Sequence, residues 1–434
     1  MKVSSKDWID RDSKRVWHGF TQMSTYGDLE PVIVERAEGH YLFDVDGNKY
    51  LDAISSLWVT TLGHKVPELD QAVINQLGCI AHSTLLGNGS KIVIELSEAL
   101  AKVVPVKSPH FLYASDGANA VEQALKIAFQ YWKNLGIDNR ETFLALGDSY
   151  HGDTMGSVSL GDGGFGTNLF DPLRFQVLRT PGYLQPNWLE IALEAVLEVK
   201  DRLAAVVFEP VCQGAAGMYM ASPQDVKTFV EKCQELELLA IADEVATGFG
   251  RTGEIFASTL AGIAPDIMCI GKGLSGGYLP ISATVASGKV FEAFLGPDLS
   301  QKTFYHGHSY SGNALSCAVS LAHLELFSKL EIVRKVQETS LYLAEILKGK
   351  IADHPLVKEI RQVGLMVGVE VQHNGYLKGQ LGRIICKCAV SNGVLLRPLG
   401  DVIVLMPHLT FGKKEIDEMT DALLISLNSL DNSL

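Results

Sequence analysis

The chain has 434 residues, of which 47% are hydrophobic and 20% charged, and its formal net charge at pH 7 is −13. This length suffices for a large core and a second domain, and the acidic balance excludes a nucleic-acid partner, which would require a basic face. No apolar run has membrane-spanning length, residues 1–7 lack a signal-peptide core and the seven cysteines are scattered, so we expect a soluble cytoplasmic protein with no membrane partner.

The first 62 residues predict a loop, a short hairpin around Asp46 and Gly47, and an extended run. From about residue 66 to residue 287, short apolar runs alternate with helical patterns, which is typical of a parallel α/β sheet. Several runs are apolar throughout, as expected of strands covered on both faces. The predicted strands span residues 110–114, 142–146, 175–178, 204–208, 238–242, 266–270 and 283–286, and the predicted helices span residues 118–132, 188–199, 223–236 and 314–327.

The last third of the chain predicts a smaller α+β domain. It has a long helical pattern at residues 333–348, strands near 367–371 and 402–406, and helices around 380–391 and 413–427. The sequence therefore predicts an α/β fold whose large domain, residues 63–312, has a mostly parallel sheet with helices on both faces. We expect residues 1–62 to join the small domain formed by residues 313–434.

Small and polar residues follow two predicted strands, at the sheet edge where α/β proteins place their active sites. Residues 115–120, Ser-Asp-Gly-Ala-Asn-Ala, end one strand and open a helix, so that backbone N–H groups there can approach a phosphate. Residues 150–153, Tyr-His-Gly-Asp, follow the next strand. Each motif also has a plain structural interpretation: a glycine turn in the first case, and a capping aspartate beside a core tyrosine in the second.

A carboxylate and a lysine follow two later apolar runs. Asp243 comes directly after one run, and Lys272 stands between two glycines after the next. A buried carboxylate needs a cationic partner, which could be a protonated pyridine nitrogen or the side chain of Arg251; for an isolated aspartate the salt bridge is the more common arrangement. Together, a carboxylate that keeps a pyridine nitrogen protonated and a lysine that can form a Schiff base are what pyridoxal 5'-phosphate (PLP) chemistry needs.

Over nearly its whole length the chain resembles the class III, fold-type I aminotransferases. The motif Asp-Glu-Val-Ala-Thr-Gly-Phe-Gly-Arg-Thr-Gly at residues 243–253, with Gly-Lys-Gly at residues 271–273, is highly specific for that class. Within the class the chain most resembles the 7,8-diaminopelargonate synthases of biotin biosynthesis. The closer resemblance rests on the motifs at residues 17–23, 55–58, 150–154, 276–284, 305–313 and 397–400.

The resemblance implies three catalytic residues that bind PLP. Lys272 would form the Schiff base and then carry the proton between substrate and cofactor, for which its amine must be partly neutral. Asp243 would pair with the pyridinium nitrogen, and Tyr150 would stack on the ring.

The remaining cofactor-binding residues implied by the resemblance lie around the ring and the phosphate. Val245 would pack beneath the ring, and Gly117 and Ala118 would donate backbone N–H groups to the phosphate. Ser309 would reach the phosphate of the neighbouring subunit. The resemblance therefore implies a homodimer with shared active sites.

For the substrates, the resemblance implies that Arg397 binds the carboxylate of the keto acid, a task that suits a bidentate guanidinium; a structural salt bridge is its alternative. Asp153 would orient neighbouring groups and the substrate amine. Glu209 would lie nearby, where related aminotransferases have a glutamate that pairs with the substrate arginine. The other predicted substrate-binding residues are Phe20, Leu57, Trp58 and Gly307, and no metal site is expected.

The implied reaction is a ping-pong transamination with a small-molecule amine donor and a keto acid acceptor. The donor converts PLP to pyridoxamine phosphate (PMP), and the amino group then passes to 8-amino-7-oxononanoate to give 7,8-diaminononanoate. The pocket must therefore accept a long, mostly apolar chain with a terminal carboxylate.

Four departures from the family pattern concern the donor. Members that use S-adenosylmethionine have a tyrosine at Phe20, a tryptophan at Leu57, a proline at His308 and a tyrosine at Val404. Losing two phenol hydroxyls removes hydrogen-bond partners for a polar donor, and losing a tryptophan reduces the aromatic surface available to a sulfonium cation. Neutral drift could explain one change, but four in one pocket resemble the lysine-using synthases, so the expected donor is S-adenosylmethionine or, favoured by these departures, lysine.

Two alternative functions share parts of this sequence pattern. An ω-amino acid:pyruvate-type transaminase of class III would have the same cofactor residues and a different acceptor. A catalytically silent PLP-fold regulatory protein belongs to another class of function. The joint presence of Lys272, Asp243, Tyr150 and Arg397 argues against the second alternative.

Overall fold

The structure is a computed structural model that describes residues 4–162 and 167–431. The helices of these ranges are α1 (Ser5–Ser13), α2 (Ser55–Trp58), α3 (Pro67–Leu77), α4 (Lys91–Ala101), α5 (Gly117–Asn134), α6 (Met155–Leu160), α7 (Trp188–Val199), α8 (Gly214–Gly217), α9 (Pro223–Glu235), α10 (Ala257–Ala261), α11 (Gly288–Glu292), α12 (Ala314–Lys329), α13 (Ile332–Lys350), α14 (Gln380–Ser391) and α15 (Lys413–Asp431). Of the helices in the described ranges, none is long and apolar enough to cross a membrane.

The strands alternate with these helices over most of the chain. They are β1 (Val34–Glu38), β2 (Tyr41–Asp44), β3 (Lys49–Asp52), β4 (His110–Ala114), β5 (Thr142–Leu146), β6 (Leu178–Thr180), β7 (Leu203–Phe208), β8 (Cys212–Gln213), β9 (Tyr219–Met220), β10 (Leu239–Asp243), β11 (Ile267–Ile270), β12 (Ser282–Ala286), β13 (Val357–Val363), β14 (Met366–Val371), β15 (Val394–Leu395), β16 (Arg397–Leu399) and β17 (Val402–Leu405).

The central sheet has seven strands in the order β4-β12-β11-β10-β7-β5-β6. Its pairs from β11 through β10, β7 and β5 to β6 are parallel, whereas β12 runs antiparallel to both β11 and β4. Side chains of β7 alternate between two cores, with Ala205 and Val207 packed beneath α5 and Val206 and Phe208 beneath α7 and α9. All residues of β7 are therefore buried. This arrangement confirms the predicted α/β class with a mostly parallel sheet.

The two ends of the chain pack together beside the central sheet. One antiparallel sheet has the order β13-β14-β17-β16, and a second sheet has the order β1-β2-β3-β15. In the second sheet β15 pairs in parallel with β3, so the last third of the chain completes a sheet that the first residues begin. Leu51 of β3 lies in the same apolar cluster as Leu343 of α13 and Leu423 of α15. The division at residues 62 and 312 stays a prediction.

Several elements of the structure were absent from the sequence-based expectation, and two of them, α1 and β13, show why. The first residues form α1 rather than a loop, and Ser4 and Asp7 form a capping box at its start. This helix buries no residue, so it has no apolar periodicity from which it could be recognised. Strand β13 was likewise not predicted, because Lys358, Glu359 and Arg361 interrupt its apolar pattern.

Candidate active site

A cavity of about 820 Å³ opens at one edge of the central sheet. Segments that follow β4, β5, β7, β10 and β11 form its walls, because the carboxyl ends of parallel strands meet at the same edge. The motifs that the sequence predicted separately therefore come together. Of the predicted site residues, the walls contain Trp58, Gly117, Ala118, Tyr150, Asp153, Glu209, Asp243, Val245 and Lys272.

Asp243 is buried at the end of β10 and pairs with a histidine. Its Oδ2 lies 2.7 Å from Nδ1 of His151, and its Oδ1 accepts a hydrogen bond of 3.1 Å from the N–H of Val245. Burial disfavours the charged form of His151, but the hydrogen bond and the charge of Asp243 outweigh this penalty and raise the pKa of His151. His151 Nε2 is buried and has no hydrogen-bond partner in the described part of the chain.

The alternative prediction, a salt bridge between Asp243 and Arg251, is wrong. The guanidinium of Arg251 donates to the carbonyl oxygen of Pro407 at 2.6 Å and to that of Thr60 at 3.2 Å. Arg251 is almost completely buried, so these two carbonyl groups replace part of the hydration that its charge loses. The residue joins two loops instead of neutralising the site.

Lys272 begins a short 3₁₀ turn, Lys272–Ser275, directly after β11. Its Nζ lies 4.8 Å from the centroid of the Trp58 ring. Burial lowers the pKa of Lys272, although the carboxylates of Asp243 and Glu209 oppose this shift. A larger fraction of the amine is therefore neutral at a given pH, which is the state in which a lysine acts as a nucleophile or base.

Tyr150 lines the same cavity, where a negative group, Asp153, and a positive group, Arg397, both influence its phenol. Burial and a hydrogen bond to the carboxylate of Asp153 raise the pKa of Tyr150, whereas the positive charge of Arg397 lowers it. Tyr150 packs against an apolar cluster that contains Trp58 and Val404. The phenol is thus neutral at physiological pH and lies within reach of both predicted substrate-binding charges.

The start of α5 provides donors for an anion. Asp116 caps the helix by accepting a hydrogen bond of 3.0 Å from the N–H of Asn119. The N–H groups of Gly117 and Ala118 precede the first bonded turn and line the cavity. A Cβ atom at Gly117 would come within 2.5 Å of Val245 Cγ1, so only glycine allows the backbone to lie this close to the cavity floor.

Three predicted substrate-binding residues, Phe20, Leu57 and Gly307, and the predicted phosphate-binding residue Ser309 lie outside this cavity. Phe20 is 61% exposed and Leu57 is 45% exposed, and Gly307 and Ser309 are also exposed. None of these four residues lines the cavity as the described residues form it. Arg397 lies in β16, half-buried and close enough to influence Tyr150.

The sequence analysis missed some residues of the site. His151 was quoted in a motif without a role, although it is the partner of Asp243. Residues 277–281 line a further wall, and their sequence was used only as a mark of resemblance. Two adjacent glycines, Gly276 and Gly277, both with positive φ, were the available signal that the chain turns sharply there.

Glu209 is buried at the end of β7 and accepts two backbone hydrogen bonds. The N–H of Tyr150 donates to Oε1 at 3.2 Å, and the N–H of Gly214 donates to Oε2 at 3.0 Å. Within the described ranges no salt bridge joins Glu209 to Arg397, the kind of pairing that related aminotransferases led us to consider. Burial raises the pKa of Glu209 to about 7, against the opposing charge of His151.

Glu209→Gln is expected to change the pH dependence of stability. The pKa of Glu209 is higher in the folded than in the unfolded state, so this carboxyl ionises at a lower pH in the unfolded chain. The wild type therefore loses stability as the pH rises from about 4.5 to about 7. The loss is on the order of 3 kcal/mol. Thermal denaturation of the cofactor-free protein should give similar midpoints near pH 5 and a higher midpoint for Glu209→Gln at pH 8; a constant difference would contradict the assignment.

Comparisons with known proteins agree with this geometry. The family model described as aminotransferase class-III matches residues 23–426. A protein of Aquifex aeolicus strain VF5, named adenosylmethionine-8-amino-7-oxononanoate aminotransferase, is 39% identical over 443 aligned positions, which cover 98% of this chain and 97% of that protein. A protein of the same name from Staphylococcus aureus strain NCTC 8325 is 38% identical and covers 94% of each chain.

Solved structures show the same similarity. The crystal structure of the adenosylmethionine-8-amino-7-oxononanoate aminotransferase of Methanocaldococcus jannaschii superposes with a TM-score of 0.95 at 35% identity, covering 98% of this chain and 99% of that one. An ω-transaminase of Pseudomonas jessenii in complex with PMP has a TM-score of 0.91 at 28% identity, with 98% of both chains covered. The chain belongs to the class III aminotransferases and is a PLP-dependent enzyme.

Proposed function

We propose that this aminotransferase transfers an amino group to 8-amino-7-oxononanoate and so makes 7,8-diaminononanoate for biotin biosynthesis. The observation that carries the proposal is the convergence of Lys272, Asp243 and the Tyr150–Asp153 pair on one cavity. Proteins from Aquifex aeolicus and Staphylococcus aureus, whose own names contain this acceptor, align with the chain over nearly its whole length. Their names support the choice of acceptor within the class.

The cavity residues fit PLP. Orphan N–H groups at Gly117 and Ala118 suit its phosphate, and Val245 and Tyr150 provide apolar surface for a ring. Asp243 is a buried carboxylate at the cavity wall, as a protonated pyridine nitrogen requires. When bound, the cofactor supplies an electron sink that allows an amino group to be taken from one substrate and given to another.

The protein's own contribution to proton transfer centres on Lys272. Its lowered pKa increases the neutral fraction of the amine, so Nζ can accept a proton from the substrate carbon and return it. Trp58, which is 7% exposed and lies 4.8 Å from this amine by its ring centroid, keeps bulk water away from it. His151 holds Asp243 in a fixed orientation through the 2.7 Å contact.

Substrate binding requires a cation and an amine-binding group. We assign the keto acid carboxylate to Arg397, whose charge already influences Tyr150. Asp153 is exposed and hydrogen-bonded to Tyr150, so it can orient the substrate amine. The apolar cluster of Trp58, Met366 and Val404 beneath these groups suits a long aliphatic chain.

The enzyme is proposed to act as a homodimer in the cytoplasm. Phe20, Gly307 and Ser309 are exposed and lie outside the cavity. Other exposed aromatic side chains, Trp17 at 88% and Tyr305 at 69%, lie next to them in sequence. A second subunit that covers these surfaces would bring Ser309 to the neighbouring phosphate site and complete both substrate pockets.

We further propose lysine as the amino donor. Val404 is buried in the apolar cluster with Trp58, so this position supplies no phenol. Leu57 supplies no indole, and Phe20 no hydroxyl. At these three positions the chain therefore supplies neither a hydroxyl group nor an indole that would stabilise a sulfonium cation.

A donor panel tests the acceptor and the donor together. In single-turnover experiments, lysine should change the visible absorption of the bound cofactor about tenfold faster than S-adenosylmethionine does. The double variant Phe20→Tyr/Leu57→Trp should shift this preference towards S-adenosylmethionine, whereas Leu299→Trp, at an 83% exposed position, should not. Reactivity with S-adenosylmethionine alone would contradict the donor proposal. Turnover of pyruvate or 2-oxoglutarate, but not of 8-amino-7-oxononanoate, would instead indicate an ω-transaminase.

A further inference from the structure

The segment that carries Trp58 has an unusual backbone. Ser55, Ser56 and Trp58 have φ angles of 51°, 60° and 68°. Residues with a Cβ atom avoid this left-handed region, at a cost of roughly 1–2 kcal/mol each. Three such residues within α2 (Ser55–Trp58) persist only if neighbouring groups hold them there.

Ser56 is held by a carboxylate four residues earlier in the chain. Its N–H donates to Oδ1 of Asp52 at 2.9 Å, and its Oγ–H donates to Oδ2 at 2.9 Å. The neighbouring Ser55 Oγ donates to the carbonyl oxygen of Met406 at 2.7 Å. The strained turn is thus fixed on both sides by side-chain hydrogen bonds.

Two histidines in turn fix Asp52, which is completely buried. Nε2 of His64 lies 2.9 Å from Asp52 Oδ2, and Nε2 of His408 lies 3.3 Å from the same oxygen. Burial alone would raise the pKa of Asp52, but the hydrogen bonds from His408 and His64 and the backbone donor at Ser56 hold it well below its usual range. The carboxylate therefore stays ionised and can accept all four contacts.

Asp52, His64 and His408 are residue types that bind metal ions, and their possible ligand atoms lie within 4.8 Å of one another. The contacts nevertheless favour direct hydrogen bonding. Asp52 Oδ2 already accepts from Ser56 Oγ and faces both imidazoles at hydrogen-bond distance. These donors occupy the lone pairs that an ion would need.

We propose that Asp52, supported by His64 and His408, is a positioning residue that clamps Ser56 and thereby holds Trp58 against the amine of Lys272. Trp58 is buried at the cavity wall with its ring centroid 4.8 Å from Lys272 Nζ. Releasing the clamp lets the turn relax towards ordinary φ values, and the indole then leaves the wall. The inference rests on the proposed role of Lys272. It adds that the contact between Asp52 and Ser56, by holding Trp58, sets the width of the pocket for the amine donor.

Ser56→Gly tests the clamp because it removes the Oγ donor to Asp52 and leaves only the backbone N–H contact. Glycine can adopt the present φ at no steric cost but is not restricted to it, so the turn should lose its single conformation without a large cost to the fold. We expect the KM of the preferred donor to rise about tenfold with a smaller change in kcat. The thermal midpoint should change little. Ser108→Gly is the matched control, since Ser108 has φ of 49° at an exposed site; it should leave both constants unchanged. A wild-type KM in Ser56→Gly would overturn the proposal.

His408→Leu and His408→Gln test the support that His408 gives to Asp52. Leucine removes the donor to Asp52, whereas the glutamine amide restores one, so only the leucine variant should reproduce the higher KM. The position of the indole is followed by ¹⁹F NMR of enzyme labelled with 5-fluorotryptophan, with the Trp58 signal assigned by Trp58→Phe. This signal should shift in Ser56→Gly and His408→Leu, with or without cofactor, and should stay unchanged in His408→Gln and after treatment with EDTA.

An unshifted Trp58 signal in both Ser56→Gly and His408→Leu, or a shift of the wild-type signal on EDTA treatment, would contradict the hydrogen-bonded clamp. The NMR result does not depend on the substrate. If the wild type fails to use 8-amino-7-oxononanoate while Trp58 still shifts as expected, the proposed function fails and the clamp stands.

Discussion

Lys272→Ala is expected to lower kcat of transamination by roughly 10³ to 10⁴. The variant loses the amine that lies 4.8 Å from the Trp58 ring and whose pKa is lowered by burial. No other lysine or histidine lines the cavity except His151, whose Nδ1 is engaged with Asp243, so within the described residues nothing can replace Lys272 as proton carrier. Rates are measured by single-turnover absorption changes of the bound cofactor.

Two companion variants make this result specific. Lys272→Arg keeps a side chain of similar length, but its guanidinium does not deprotonate at physiological pH, so it should be as inactive as the alanine variant. Lys348→Ala, at an exposed position of α13, should behave as wild type. If Lys272→Ala retained full biological activity while transamination was lost, the silent regulatory protein would become the better interpretation.

The parts of the site that could be predicted from sequence are those fixed by strand order. Asp243 and Lys272 each follow an apolar run that is buried on both faces. Parallel strands bring such positions to a common edge whatever the details of packing. The predicted strands of the central sheet accordingly lie within a few residues of the observed ones.

Other features depend on contacts that no local pattern records. The left-handed turn at Ser55 and Ser56 contains no glycine, so its residue types did not indicate its conformation. The Asp52–His408 contact joins residues 356 positions apart. Similarly, the choice of His151 over Arg251 as the partner of Asp243 depends on which side chain the folded chain brings within 2.7 Å.

Asp243→Asn is expected to reduce kcat by roughly 10² to 10³ and to destabilise the protein in a pH-dependent manner. Stability falls because removing one member of a buried charged pair costs about 3–5 kcal/mol. The rate falls because the substitution also removes the fixed negative charge that a bound pyridinium would need. The exposed pair of Lys232 and Glu235 provides a control. Glu235→Gln should change neither kcat nor the thermal midpoint measurably.

The direction of the pH effect follows from the raised pKa of His151. A histidine whose pKa is higher in the folded than in the unfolded state contributes stability that is fully present below about pH 6.5 and is lost as the pH rises through the folded-state pKa. The difference in thermal midpoint between wild type and Asp243→Asn should therefore be largest near pH 6 and shrink towards pH 9, in cofactor-free protein. Equal differences at both pH values would mean that His151 is neutral in the pair, with Asp243 acting on it only as a hydrogen-bond acceptor.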